Sequence, residues 1–183
     1  MMMGKKRIVV LGAGMIGKAI AIDLSKRHNV LAADIDPQSL EFLSSNFNIE
    51  TIGVNFMQDD AVKEVVSGAD LVVSAVPGFM GYDVLRTVIE AEKNIVDISF
   101  MPEDYMDLNN LAAARGVTAI TDAGVAPGVP NLIAGYYNEK MEIEDFSYFV
   151  GGVPHVKVYP FYYKAPFSPI DVVEEYTRPA RFI

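Results

Sequence analysis

Gly12-Ala13-Gly14-Met15-Ile16-Gly17 stands between two segments of different periodicity, and this junction constrains the chain more than any other feature. Before it, Arg7–Leu11 is a compact β-branched run that reads as a strand. After it, residues 15–28 carry apolar side chains at 15, 16, 19, 20, 22 and 24, the stripe of a helix. G-x-G-x-x-G is a weak signal by itself, but between a strand and a helix it has the setting of a dinucleotide-binding loop. Each glycine then has a task. Gly12 permits the tight turn, Gly14 lets backbone approach a pyrophosphate, and Gly17 lets the helix pack closely on the strand. The pyrophosphate would rest on free N–H groups at the positive end of the helix dipole. Gly12, Gly14, Met15, Ile16 and Gly17 are therefore candidate cofactor-loop residues.

The alternation continues. Strands are expected over 29–34, 48–54, 70–76, 94–98 and 117–121, with helices from Pro37 and over 59–67, 82–92 and 104–115, the last closed by Gly116. The fourth strand is apolar throughout, as a central parallel strand should be. Strands alternating with helices imply right-handed crossovers and an α/β, doubly wound parallel sheet of Rossmann type.

Asp34 closes the second strand, 22 residues after Gly12, where a carboxylate can accept hydrogen bonds from both hydroxyls of an adenosine ribose. A 2′-phosphate would be repelled there, and the next residues are Ile35 and Asp36 rather than Arg or Lys, so NAD is expected over NADP. Ala75, Val76 and Pro77 follow the fourth strand across the switch point of the sheet, where small residues would let a cofactor lie against backbone.

Composition removes other classes of function. The 183 residues include no cysteine, which excludes disulfides, thiolate catalysis, iron–sulfur clusters and cysteine-ligated zinc. With only His28 and His155, a multi-histidine metal site is excluded as well. The net charge of −9 argues against nucleic acid and anionic membranes as partners. Glycines at 12, 14 and 17 and Lys18 interrupt the first apolar stretch, unlike a secretory leader, and no apolar run reaches the length of a membrane span. A soluble cytoplasmic protein is the expectation.

The character shifts near Asp122. Residues 143–183 hold 10 of the 19 Phe and Tyr and 5 of the 10 prolines. They read as a strand over 146–150, an irregular Pro- and Tyr-rich stretch, and a helix capped by Ser168 with Pro169 in its first turn.

A run of motifs carries a resemblance. Asp97-Ile98-Ser99-Phe100-Met101-Pro102-Glu103-Asp104 follows the fifth strand, and Asp122-Ala123-Gly124-Val125-Ala126-Pro127-Gly128-Val129-Pro130-Asn131 follows the sixth. Phe149-Val150-Gly151-Gly152-Val153-Pro154 and Glu174-Glu175-Tyr176-Thr177-Arg178-Pro179-Ala180-Arg181 come after them. This succession resembles the saccharopine dehydrogenase-like oxidoreductases, and within them the lysine 6-dehydrogenase branch, which deaminates lysine at its ε-carbon with NAD. The saccharopine-forming reductases carry Asp, Tyr and Cys where this chain has Ala126, Phe100 and Val150, which speaks against saccharopine as substrate. The resemblance implies a Rossmann domain over residues 1–125 and, over 126–183, part of a second α+β substrate and dimerisation domain. It also implies a homodimer. The family's enzymes are roughly twice this length, so a truncated chain is expected.

Amine oxidation needs a hydride acceptor, a base that keeps the amine neutral, and a cation for the substrate carboxylate. Asp97 and Asp122, at the carboxyl ends of expected strands, are the candidate catalytic bases; helix capping or a hydrogen bond across the crevice are their structural alternatives. Val96 and Ile98 flank Asp97, and desolvation there would favour its protonated form. Phe100, Glu103, Asn131, Arg178 and Arg181 are the candidates for binding the amino-acid substrate. Asn131 could instead cap a helix, and the two arginines could pair with Glu174 and Glu175 on the surface. The expected activity is NAD-dependent oxidation of a CH–NH2 group, most specifically that of L-lysine. A saccharopine-type dehydrogenase and a non-catalytic NAD-sensing module are the alternatives. The sensor reading leaves the motifs after the fourth strand without a reason.

Overall fold

The computed structural model describes residues 4–160, 162–164 and 169–177. The chain packs as two compact units, one up to Thr121 and one from Asp122.

The first unit is a six-stranded parallel sheet with helices on both faces. Its strands are β1 (Arg7–Leu11), β2 (Asn29–Asp34), β3 (Glu50–Gly53), β4 (Leu71–Ser74), β5 (Ile95–Asp97) and β6 (Ala119–Ile120). Their order across the sheet is β3-β2-β1-β4-β5-β6. The chain leaves β1 toward β2 on one side and returns to β4 on the other. The switch point therefore lies between β1 and β4, where ligands of open α/β sheets bind. Register sets Leu11 opposite both Ala33 and Ser74, so Gly12, Asp34 and Ala75 leave the sheet at one level.

Alternation along β1 builds the two halves of the core. Val9 and Leu11 pack with Val62 and Val66 of α3 (Asp59–Val66) and with Val84, Leu85 and Val88 of α4 (Gly78–Glu90). Ile8 and Val10 pack with Ala21 of α1 (Met15–Ser25) and with Leu40 and Leu43 of α2 (Pro37–Phe47). Val9, Val10 and Leu11 are wholly buried, as residues of a strand covered on both faces must be.

The expected elements all form in this unit, with shifted bounds. The third strand begins two residues later, because Asn48 takes a left-handed conformation (φ 52°) and ends α2. The fourth helix begins at Gly78 rather than Tyr82, since Pro77 already supplies the extended backbone of a cap. The helix expected over 104–115 is two pieces. Asp104 accepts from Met106 N–H and opens a 3₁₀ turn, Tyr105–Leu108, before α5 (Asn109–Arg115). Gly116, at φ 66°, ends α5 as expected.

The second unit contains α6 (Val129–Asn138) and α7 (Pro169–Thr177). The strand expected over 146–150 is irregular backbone instead. A strand needs a ladder partner, and none appears among the described residues of this unit. No helix among the described residues is long and apolar enough to cross a membrane.

Candidate dinucleotide site

The glycine loop closes on itself and on the exit from β4. Gly12 adopts φ 96°, and a Cβ there would lie 2.5 Å from the Ala75 carbonyl oxygen. Its N–H donates to Ala33 O at 2.9 Å, and Ala75 N–H donates to Leu11 O at 2.8 Å. Three strand exits are thereby tied together by backbone. Gly17 sits in the first turn of α1, where a Cβ would overlap the Gly12 carbonyl. Gly12 and Gly17 are thus required by the protein's own packing.

Gly14 differs. It is the N-cap of α1 with an extended backbone that any residue can adopt, and nothing beyond the adjoining residues lies within 4 Å of the place a Cβ would take. No side chain caps this helix, and its first turn holds no acidic residue. The N-terminal amides of α1 therefore face an open approach over a bare glycine, as a dinucleotide pyrophosphate requires. Met15 and Ile16, in the same turn, are solvent-exposed.

Asp34 is half-buried at the end of β2. Its Oδ2 accepts from Ala13 N–H at 2.5 Å and its Oδ1 from Asp36 N–H at 2.9 Å. The carboxylate thus links the glycine loop to the turn after β2. A carboxylate has about four acceptor positions, so these two bonds leave capacity for further donors. Val76 is buried, and exposed Pro77 caps α4. Gly12, Gly14, Gly17, Asp34, Ala75, Val76 and Pro77 are brought to one end of the sheet, as the sequence predicts.

Sequence reasoning passed over several residues at that end. Ile35 and Phe79 are exposed apolar side chains in the turns after β2 and β4. Asp36 caps α2, a role its position before Pro37 signals. Gly81 of α4 meets Ser99, whose Oγ and Cβ fall where a Gly81 side chain would be.

Asp97 is wholly buried, opposite Ser74 in the β4–β5 register. Its Oδ1 accepts from Ser99 N–H at 2.9 Å and from Ser99 Oγ at 2.5 Å. These bonds hold the turn after β5 and are neither a helix cap nor a hydrogen bond across the crevice. Phe100 is half-buried and Glu103 exposed in that loop.

In the second unit, Asp122 is half-buried with a left-handed backbone (φ 51°). Asn131 Oδ1 accepts from Gly128 N–H at 3.1 Å, so Asn131 closes the N-terminus of α6. Gly128, at φ 135°, packs against the Gly124 and Asp122 backbone, where no Cβ would fit. Arg178 and Arg181 lie outside the described residues.

Comparison with known proteins agrees with this architecture. The sequence model of the saccharopine dehydrogenase NADP binding domain matches residues 8–120, and that of the saccharopine dehydrogenase C-terminal domain matches residues 124–183. The mitochondrial alpha-aminoadipic semialdehyde synthase of Rattus norvegicus is 28% identical over 98% of this chain and 20% of its own length. The saccharopine dehydrogenase [NADP(+), L-glutamate-forming] of Pyricularia oryzae is 26% identical over 83% of this chain and 35% of its own. This chain thus spans about a fifth to a third of these relatives. Among solved structures, apo saccharopine dehydrogenase (L-Glu forming) from Saccharomyces cerevisiae has a TM-score of 0.67 and 21% identity, covering 74% of this chain and 31% of that one. GenD2 from gentamicin A biosynthesis, in complex with NAD, has a TM-score of 0.57 and 20% identity, covering 75% of this chain and 40% of that one. These two show a shared fold.

Proposed function

Because this chain belongs to the saccharopine dehydrogenase family, we propose that it supplies the dinucleotide-binding part of an amino-acid dehydrogenase that uses NAD. The observation that carries this reading is the contrast within the glycine loop. Gly12 and Gly17 are filled against by the protein itself, whereas the space beside Gly14 and the amides of α1 are left open. Gly12, Gly14, Met15, Ile16 and Gly17 would hold the pyrophosphate, Asp34 the adenosine ribose, and Ala75, Val76 and Pro77 the face of the cofactor across the switch point. When bound, the nicotinamide supplies the hydride acceptor for oxidation of a C–N bond.

Asp97 is sealed among core residues and bound to Ser99, so its task is to shape the loop after β5. Asp122, which is not sealed, is the proton acceptor in this reading. Phe100 and Glu103 would border the substrate, with Arg178 and Arg181 receiving its carboxylate as bidentate donors. The substrate is L-lysine, oxidised at its ε-carbon. Ala126 and Phe100, apolar where saccharopine-forming reductases are polar, favour this over saccharopine. The names of the matching family model and of the Pyricularia oryzae relative favour the second reading, a saccharopine-type dehydrogenase using NADP.

Two measurements test the proposal. Titration of the chain with NADH and NADPH should show binding of NADH, weakened by Asp34→Ala. Equal affinity of Asp34→Ala and wild type would remove Asp34 from the ribose site. Lysine-dependent NADH formation by a protein carrying this chain with its complete catalytic domain should exceed the saccharopine-dependent rate. The reverse order would establish the second reading.

A further inference from the structure

The turn after β2 carries a second carboxylate, and every atom of it is engaged. Asp36 Oδ1 accepts from Gln38 N–H at 3.2 Å, while Oδ2 accepts from Ser39 N–H at 3.1 Å and from Ser39 Oγ at 2.5 Å. Pro37 has no N–H, and Leu40 N–H is bonded to Asp36 O at 3.3 Å. The first turn of α2 therefore has no amide left for an incoming anion. Asp36 N–H in turn donates to Asp34 Oδ1, so the two carboxylates are fixed on one short turn.

Lys18, from the first turns of α1, lies over the Phe42 ring of α2 at 5.4 Å from its centroid and acts electrostatically on Asp36. The Ser39 hydroxyl first, then the backbone amides and Lys18, hold the Asp36 carboxyl below its ordinary value against desolvation, so it is ionised near neutrality.

We propose that Asp36 is a selectivity residue of the dinucleotide site, excluding the 2′-phosphate of NADP(H). It acts in three ways. It occupies the amides of α2, it adds a negative charge beside Asp34, and it offsets Lys18, the nearby cation that would otherwise attract a phosphate. A phosphomonoester carries about −1.5 to −2 charges at neutral pH, so it senses each of these more strongly than a ribose hydroxyl does. This inference rests on the dinucleotide reading above. Replacing Asp34 alone is then insufficient to admit NADP(H).

The test is calorimetric titration of the 183-residue chain at low salt with NADH and NADPH, reading the ratio of the two dissociation constants. Asp36→Ser keeps a capping oxygen and removes the charge, and Asp36→Asn is the second variant in case Ser lowers stability. Wild type should favour NADH. Either variant should shift the ratio toward NADPH by roughly fivefold or more, and rising ionic strength should shrink the shift. Adding Lys18→Gln to Asp36→Ser should reverse much of the gain. An unchanged ratio in both variants, with NADH still bound, overturns the role of Asp36 and leaves the dinucleotide site standing. Wild type that binds NADPH as tightly as NADH also overturns it. Wild type that binds neither overturns the dinucleotide reading and this inference together.

Discussion

Substituting Gly14 by alanine separates what the glycine loop does for the fold from what it does for a ligand. The added methyl group enters open space, with no atom beyond the adjoining residues within 4 Å. Gly14 has φ −67° and ψ −168°, which alanine adopts without strain. Two small effects on stability oppose each other. Alanine is a poorer N-cap than glycine by about 0.5 kcal/mol or slightly more. Reduced freedom of the unfolded chain returns about 0.4–1 kcal/mol. The net change in unfolding free energy should lie within about 0.5 kcal/mol of zero. A pyrophosphate resting on the α1 amides needs that same space. Overlap of one methyl group costs about 1–3 kcal/mol, and NADH affinity should fall about 5- to 150-fold. The assay is urea unfolding followed by circular dichroism, paired with titration by NADH. The chain contains no tryptophan, so nicotinamide fluorescence can be read without that background. Unchanged NADH affinity in a stably folded Gly14→Ala variant would refute the placement of the pyrophosphate.

Gly12→Ala should do the opposite. It must hold φ 96° and place Cβ 2.5 Å from a backbone oxygen that cannot rotate away. Strain and overlap together should lower stability by about 2–5 kcal/mol in the same urea experiment, and a loss below 1 kcal/mol would contradict the loop geometry. In Gly81→Ala, the methyl group would lie 2.9 Å from the buried Ser99 Cβ and displace the Ser99 hydroxyl from Asp97. Overpacking of about 1–3 kcal/mol and a lost hydrogen bond of about 1 kcal/mol outweigh about 1 kcal/mol of gained helix propensity, so the variant should be less stable. Equal or higher stability would show that the Ser99 loop yields freely. The Asp36 and Glu90 carboxyls are held below their ordinary values, Asp36 chiefly by Ser39 and Glu90 chiefly by Lys63 at 2.7 Å. A carboxyl lowered on folding stabilises above its unfolded value and loses that contribution as pH falls through the folded one. Stability should therefore decline below about pH 4, and Glu90→Gln should flatten part of that decline. An acid limb identical to wild type would show that the Lys63 pair does not set it.

The first unit was legible in the sequence because its signals are local. Hydrophobic period separates strands from helices, and Gly116 and Pro37 mark helix ends through their own backbone preferences. Bounds moved where a neighbour intervened, as when Pro77 began α4 early. The second unit was less legible. The run over 146–150 has the composition of a strand, but pairing is a property of two segments, and composition describes one.

The same division holds at the candidate site. Sequence alone determined that a glycine loop follows β1 and that an acidic residue ends β2, because chemistry at a fixed spacing requires nothing distant. It also placed both Asp97 and Asp122 at strand exits, with equal claims to proton transfer. Only tertiary structure gave them different surroundings, with Asp97 wholly buried beside Ser99 and Asp122 half-buried. Likewise, three glycines in one motif look equivalent along the chain. The packing of Ala75 and Gly12 shows that two serve the fold and that Gly14 alone faces open space, because only a folded chain decides which atoms become neighbours.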